Sequence, residues 1–147
     1  MVIAYCQKNN IGTIVVGKNN GFKRNVTLDK RNKQNFISIP YAKFLEYLTY
    51  KAEECGIEVR VTEESYTSKA SFVDNDDMPA YNQVTTKDRS FSGNRVMRGL
   101  YYTKQGKRIN ADCNASGNII RKVFPNAFNG RGDRGVVDTP CVLSIVS

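Results

Sequence analysis

The chain has 147 residues, 40% of them apolar, with 22 lysines and arginines against 14 acids, a net charge of +8 and no histidine. That length supports one core of ordinary size, and no apolar run approaches the length of a membrane span. The N-terminus lacks the order of charge, apolar stretch and small-residue cleavage site of a secretory signal, so a cytoplasmic protein is expected. A basic balance favours polyanionic partners, because each neutralised phosphate releases counterions, although net charge alone also describes a merely solvated surface. Cys6, Cys55, Cys113 and Cys141 have none of the paired spacings of zinc sites and read as reduced thiols.

In chain order, Met1 to Lys8 reads as the last turns of a helix whose beginning is absent. Ile14-Val15-Val16, after the turn-like Asn10-Ile11-Gly12, predicts a strand buried on both faces. Residues 17–35 form a basic loop with Lys18, Lys23, Arg24, Lys30, Arg31 and Lys33, where solvated charge is the expected fate of most and phosphate contact of some. The spacing predicts a helix over 39–55, with Pro40 in the first turn and Gly56 as a left-handed cap. Tyr41, Phe44, Leu45, Leu48, Ala52 and Cys55 form its apolar stripe. Ile57, Val59 and Val61 alternate with Glu58, Arg60 and Thr62, which predicts a second strand. Strand, helix and strand together predict a parallel βαβ unit with a right-handed crossover.

From Ser65 to Arg108 the periodicity breaks, as in an insertion. Asp74, Asp76 and Asp77 cluster before Met78-Pro79, and Leu100 to Ile109 reads as a hairpin turning at Gly106. A final helix is expected from about Asp112 to Phe124, stopped by Pro125. The tail from Asn126 is Gly-rich and expected to be loose, with a short strand at Val142–Val146.

Three groups of residues could carry chemistry. Asp112 shares a helix face with Ala115, Ile119 and Val123, where it either meets a metal or partner, or simply favours the helix start as a carboxylate. Glu63 and Glu64 close the second strand, and ligands of parallel sheets gather at carboxyl ends; one of the pair is expected to be merely solvated. Carboxylates converging from separate elements bind divalent ions that clamp a phosphodiester, which takes three or four acids; the 74–77 cluster is a poor third. In the insertion, Arg89, Arg95, Arg98, Lys104, Lys107 and Arg108 interleave with Phe91, Tyr101 and Tyr102. Basic chains on phosphates and rings on bases suit single-stranded or hybrid nucleic acid, while a hairpin with ordinary core tyrosines explains Tyr101 and Tyr102 equally well.

Tyr47-Leu48-Thr49-Tyr50-Lys51-Ala52-Glu53, Gly56-Ile57-Glu58-Val59, then Thr62-Glu63-Glu64-Ser65-Tyr66-Thr67-Ser68-Lys69 resembles the "YKAE…G…V…YTSK" stretch of TnpB/OrfB transposon proteins. Asn110-Ala111-Asp112-Cys113-Asn114-Ala115-Ser116-Gly117-Asn118-Ile119 resembles their closing D-x-D-x-N-A-x-x-N-I motif. The match runs in order from about residue 11 to about residue 128, and several motifs in one order are more specific than any one.

The resemblance implies an α/β, RNase H-like (RuvC) core interrupted by a zinc ribbon, in RNA-guided DNA endonucleases that use three acids and Mg²⁺. The third acid falls on Asp112; Glu63 or Glu64 (Asp112 and Glu64 as Mg²⁺ ligands) would supply a relocated second. The first acid's strand has no counterpart, and Gly17 stands where the second acid usually sits. The ribbon's cysteine pairs would fall after the "TSK" and in the later hairpin. There the sequence reads Ala70-Ser71-Phe72 and Met97-Arg98-Gly99-Leu100, so no zinc is expected.

The expected architecture is a partial RuvC-like βαβ part over 1–64, a degenerate zinc-ribbon-like insertion over 65–109, a final RuvC-like helix over 110–128 and a loose tail. The expected role is that of a C-terminal fragment of a transposon-encoded, RNA-guided DNA endonuclease, not catalytic alone. Lys69, Arg89, Arg95, Arg98, Lys104, Lys107 and Arg108 would contact DNA and guide RNA, without a membrane. A separate N-terminal polypeptide is a further candidate partner. The alternatives are a nuclease-dead nucleic-acid-binding module and a truncated transposon product without function.

Overall fold

The structure, a computed structural model, describes residues 1–18, 41–79 and 90–128. Most of the 17–35 loop, Pro40, Arg89, Cys141, the Gly-rich tail and the Val142–Val146 strand of the sequence reading lie outside the described residues. The chain divides into two compact units, Met1–Val61 and Thr62–Ser147.

In the first unit, helix α1 (Val2–Lys8) leads into strand β1 (Thr13–Lys18), and helix α2 (Tyr41–Glu53) leads into strand β2 (Glu58–Glu63). β1 and β2 pair in parallel, as the alternating pattern predicted. Gly56 at φ +68° ends α2 in the left-handed region, where a side chain would be strained. The amide of Ile57 then bonds Ala52 O, and that of Glu58 bonds Gly12 O, which sets the strand's entry. Cys6, Ala52 and Ile57 form a small core, flanked by Ile3, Ile14 and Val59. The stripe of α2 is only partly covered: Leu48 and Ala52 are buried, whereas Tyr41, Phe44 and Cys55 are exposed. β1 is half-buried rather than covered on both faces.

The second unit is built on a three-stranded antiparallel sheet of β3 (Asn94–Met97), β4 (Leu100–Tyr102) and β5 (Arg108–Asn110), in that order, with helix α3 (Ala111–Val123) following directly. The β4–β5 hairpin turns through Gly106 at φ +77°, as its sequence implied. β3 was not foreseen. Its Asn-Arg-Val-Met run has no alternation, and all four residues are exposed on the sheet edge. The core is Phe72, Tyr101, Ile109 and Ala111, with the Phe72 and Phe128 rings edge to face at 4.8 Å. Gly117 is where α3 meets Phe72: a Cβ there would lie 2.6 Å from the ring. The final helix therefore belongs to the same unit as the inserted sheet. Among the described residues, no helix is long and apolar enough to cross a membrane.

Candidate nucleic-acid interface

The start of α3 is organised by Asn110, whose side chain accepts from the amides of Asp112 and Cys113. Asp112 thus sits in the first helical turn, where a carboxylate meets the positive end of the backbone dipole. Its side chain is 80% exposed, and the Arg95 guanidinium lies 3.6 Å from it. The face shared with Ala115, Ile119 and Val123 is half-covered; burial falls instead on Ala111, Asn114, Gly117 and Asn118. The sequence pattern put the packing face one position off. The neighbouring Cys113 thiol is pushed up, by burial first and then by the Asp112 charge.

Glu63 is placed elsewhere. One carboxylate oxygen takes the Lys122 ammonium and the other the Ser65 amide, the latter at 2.8 Å. Burial raises its pKa, but the bonds from Lys122 and Ser65, with the Lys122 charge, outweigh it and leave the carboxyl below its usual range. Lys122 is ten residues beyond Asp112 on α3, a separation of about 15 Å at the helical rise. Glu63 and Asp112 therefore lie toward opposite ends of the helix and are not brought together. Glu64, half-buried and next to Glu63, lends its carbonyl to the amide and hydroxyl of Thr67.

Among the described residues, no group of three or more histidine, cysteine or acidic side chains converges to hold a metal. Asp112, exposed at the start of α3, and Glu63, engaged by Lys122 near its end, offer no common point for the Mg²⁺ that the resemblance implies.

The stretch after the "TSK" residues is held from two sides. From α3, Asn114 accepts from Phe72 N at 2.9 Å and donates to Ala70 O at 2.8 Å. Asn118 donates to Thr67 O and Ala70 O at 2.9 and 2.8 Å, and both asparagines are fully buried. Arg121 spans Asn118 Oδ1 and Asp76 O. From the sheet side, Asp74 accepts from Lys104 N at 2.9 Å and from Ser71 Oγ, and Asp76 accepts from the amide and hydroxyl of Ser92 and from Ser71 N. Asp74 and Asp76, part of the cluster read in the sequence as a poor third for metal binding, are thus structural acceptors. Asn114 and Asn118 were quoted within the motif but not singled out; their i, i+4 spacing on the helix is the signal that could have found them.

With the interior so filled, the basic side chains stay outside. Lys69, Arg95, Arg98, Lys104, Lys107 and Arg108 are all exposed, on the 65–70 turns, on β3 and the turn after it, and on the β4–β5 hairpin. Arg108 lies cross-strand from Tyr102, with its guanidinium 5.7 Å from the half-exposed ring. Tyr101, one residue before, is fully buried and donates to Lys69 O at 2.8 Å. Burial, then the Asp76 and Asp74 charges, push its phenol up to about 12. The two tyrosines that the sequence left open divide: one is core, the other surface. Val96 and Met97 add exposed apolar area on the edge strand.

No curated protein matches the chain. Residues 41–119, which span α2, β2, the clamped loop, the sheet and most of α3, match the Cas12f1-like, TNB domain family. That stretch is more than half of the sequence and holds the motifs through which it resembles TnpB-type proteins, and the chain belongs to the Cas12f1-like TNB-domain family.

Proposed function

We propose that this chain is a nucleic-acid-holding part of a transposon-type, RNA-guided DNA nuclease, binding a strand on its second unit and not cutting alone. The observation that supports the reading most is on the β3–β5 sheet: Arg108 stands beside the Tyr102 ring on one face, Lys104 and Lys107 are exposed in the adjoining turn, and Arg95 and Arg98 are exposed on the edge strand and the turn after it. Guanidinium and ammonium groups supply sequence-independent attraction to phosphates, and a ring under a cation offers a stacking platform for an unpaired base. Cleavage would need acids that the described residues do not bring together, supplied by a longer polypeptide or a separate one that completes an RNase H-like core.

A second reading keeps one catalytic role: Asp112 as a carboxylate of a composite Mg²⁺ site. Its exposure at the start of α3 favours this, since an outside partner could reach it. Both readings are tested together. A labelled single strand is titrated with the full chain at about 50 and about 200 mM salt, and supercoiled DNA is incubated with the chain and Mg²⁺. Binding that weakens with salt, with no nicking, is expected. Affinity independent of salt contradicts the binding role. Nicking by the chain that Asp112→Ala abolishes would show catalysis without a second component.

A further inference from the structure

We infer that the 71–76 loop ties the sheet to α3 through carboxylates, doing without metal the cross-linking that zinc-bound cysteines do in the proteins the sequence resembles.

The loop is short and carries little apolar area beyond Phe72 and Val73, so packing alone would leave its backbone poorly fixed. It is fixed by direct acceptors instead. Asp76 joins three donors from two segments: Ser71 N at 2.7 Å within the loop, and the amide and hydroxyl of Ser92 just before β3. Asp74 joins Ser71 Oγ to Lys104 N in the β4–β5 turn. That turn is itself closed by Gly106 N to Thr103 O and by Lys107 N to Thr103 Oγ1. The opposite side of the loop is taken by Asn114, Asn118 and Arg121. Three separate chain segments, which a tetrahedral ion could gather by four bonds, are here gathered by two carboxylates and two amides.

The donor chemistry excludes a hidden ion at this place. Both oxygens of Asp76 and Oδ2 of Asp74 face N–H and O–H groups, and a cation there would meet positive partial charges. Hydrogen bonds to an ionised acceptor are roughly twice as strong as neutral ones, which suits carboxylates to this load. No buried side-chain nitrogen or oxygen among the described residues lacks a partner, so the network is complete as it stands.

The test is thermal melting of the full chain with and without EDTA and with added Zn²⁺, together with the amide NMR spectrum. The wild type is expected to melt at the same temperature in all three conditions. Asp76→Asn, which turns an acceptor into a donor facing donors, is expected to lower the midpoint by roughly 4 °C or more. Its spectrum should move the Ser71 and Ser92 amides, while Asp74→Asn should move Lys104. Should Asp76→Asn not fold, Ser92→Ala removes one side-chain donor only and is expected to lower the midpoint by less. A fall with EDTA, a rise with Zn²⁺, or wild-type melting of both Asp76→Asn and Ser92→Ala overturns the inference.

Discussion

Lys122 holds its ammonium against the carboxylate of Glu63, on the helix whose first turn carries Asp112 ten residues earlier. Both residues lie in the second unit, where the pair joins Glu63 to the last turn of α3. An acid at the carboxyl end of a parallel strand is well placed for a ligand only if no cation of the protein reaches it first. Here a lysine with 8% side-chain exposure does so.

Removing the acid should expose that dependence. Glu63→Gln leaves a nearly buried ammonium without its counter-charge and is expected to cost about 2 kcal/mol, toward the low side for a broken buried pair because Glu63 is itself 30% exposed. Lys122→Met, which removes the charge needing a partner, should cost less. Urea denaturation of the two variants measures both. The pH response follows from the depressed carboxyl of Glu63. Its stabilisation is fully present above the unfolded value of 4.5 and is lost as pH falls through the lower folded-state value. Glu63→Gln should flatten that acid limb.

The helix asparagines should be costly to remove. Asn114→Ala removes the acceptor of Phe72 N and Asn118→Ala removes a donor to Thr67 O, both at fully buried positions, while Ala70 O keeps one of its two donors in either variant. Each orphaned buried group costs about 1 to 3 kcal/mol, so a loss of about 1 to 3 kcal/mol is expected for each single variant. The double variant should cost more than the sum, since only there does Ala70 O lose both of its donors. Denaturant titration of the single and double variants checks this.

How much of this was legible follows from the kind of signal. The 39–55 helix, its Gly56 cap, the following strand and the Gly106 hairpin were readable because each rests on local chemistry: periodicity, a positive φ, a tight turn. β3 was not, because an exposed edge strand has neither face to bury and so no alternation to show. Asp74, Asp76 and Lys122 were missed for another reason. Their roles depend on donors many residues away, and nothing local distinguishes a carboxylate that accepts backbone amides from one that is solvated. The basic surface was legible as composition. Its division into the core ring Tyr101 and the surface ring Tyr102 required the register of the sheet. Arg89 lies outside the described residues.

Tyr101 provides a spectroscopic handle. Its phenol should ionise late, near pH 12. Because the folded value is raised, the stability it carries is complete below the unfolded value of 10.0 and is lost as pH climbs toward 12. Ultraviolet titration should show a late phenolate step that Tyr101→Phe removes. The same variant gives up the bond to Lys69 O, at an expected cost of about 1 kcal/mol.

Nucleic-acid binding by the sheet is tested most directly by the salt dependence of single-strand affinity in the Arg95→Ala, Arg98→Ala, Arg108→Ala triple variant. Each lost phosphate contact lowers the slope of log affinity against log salt by about 0.7 for a single strand, so a drop of about 2 is expected, with the melting temperature kept. A triple variant that binds with the wild-type slope and affinity would contradict the placement of the strand on this surface.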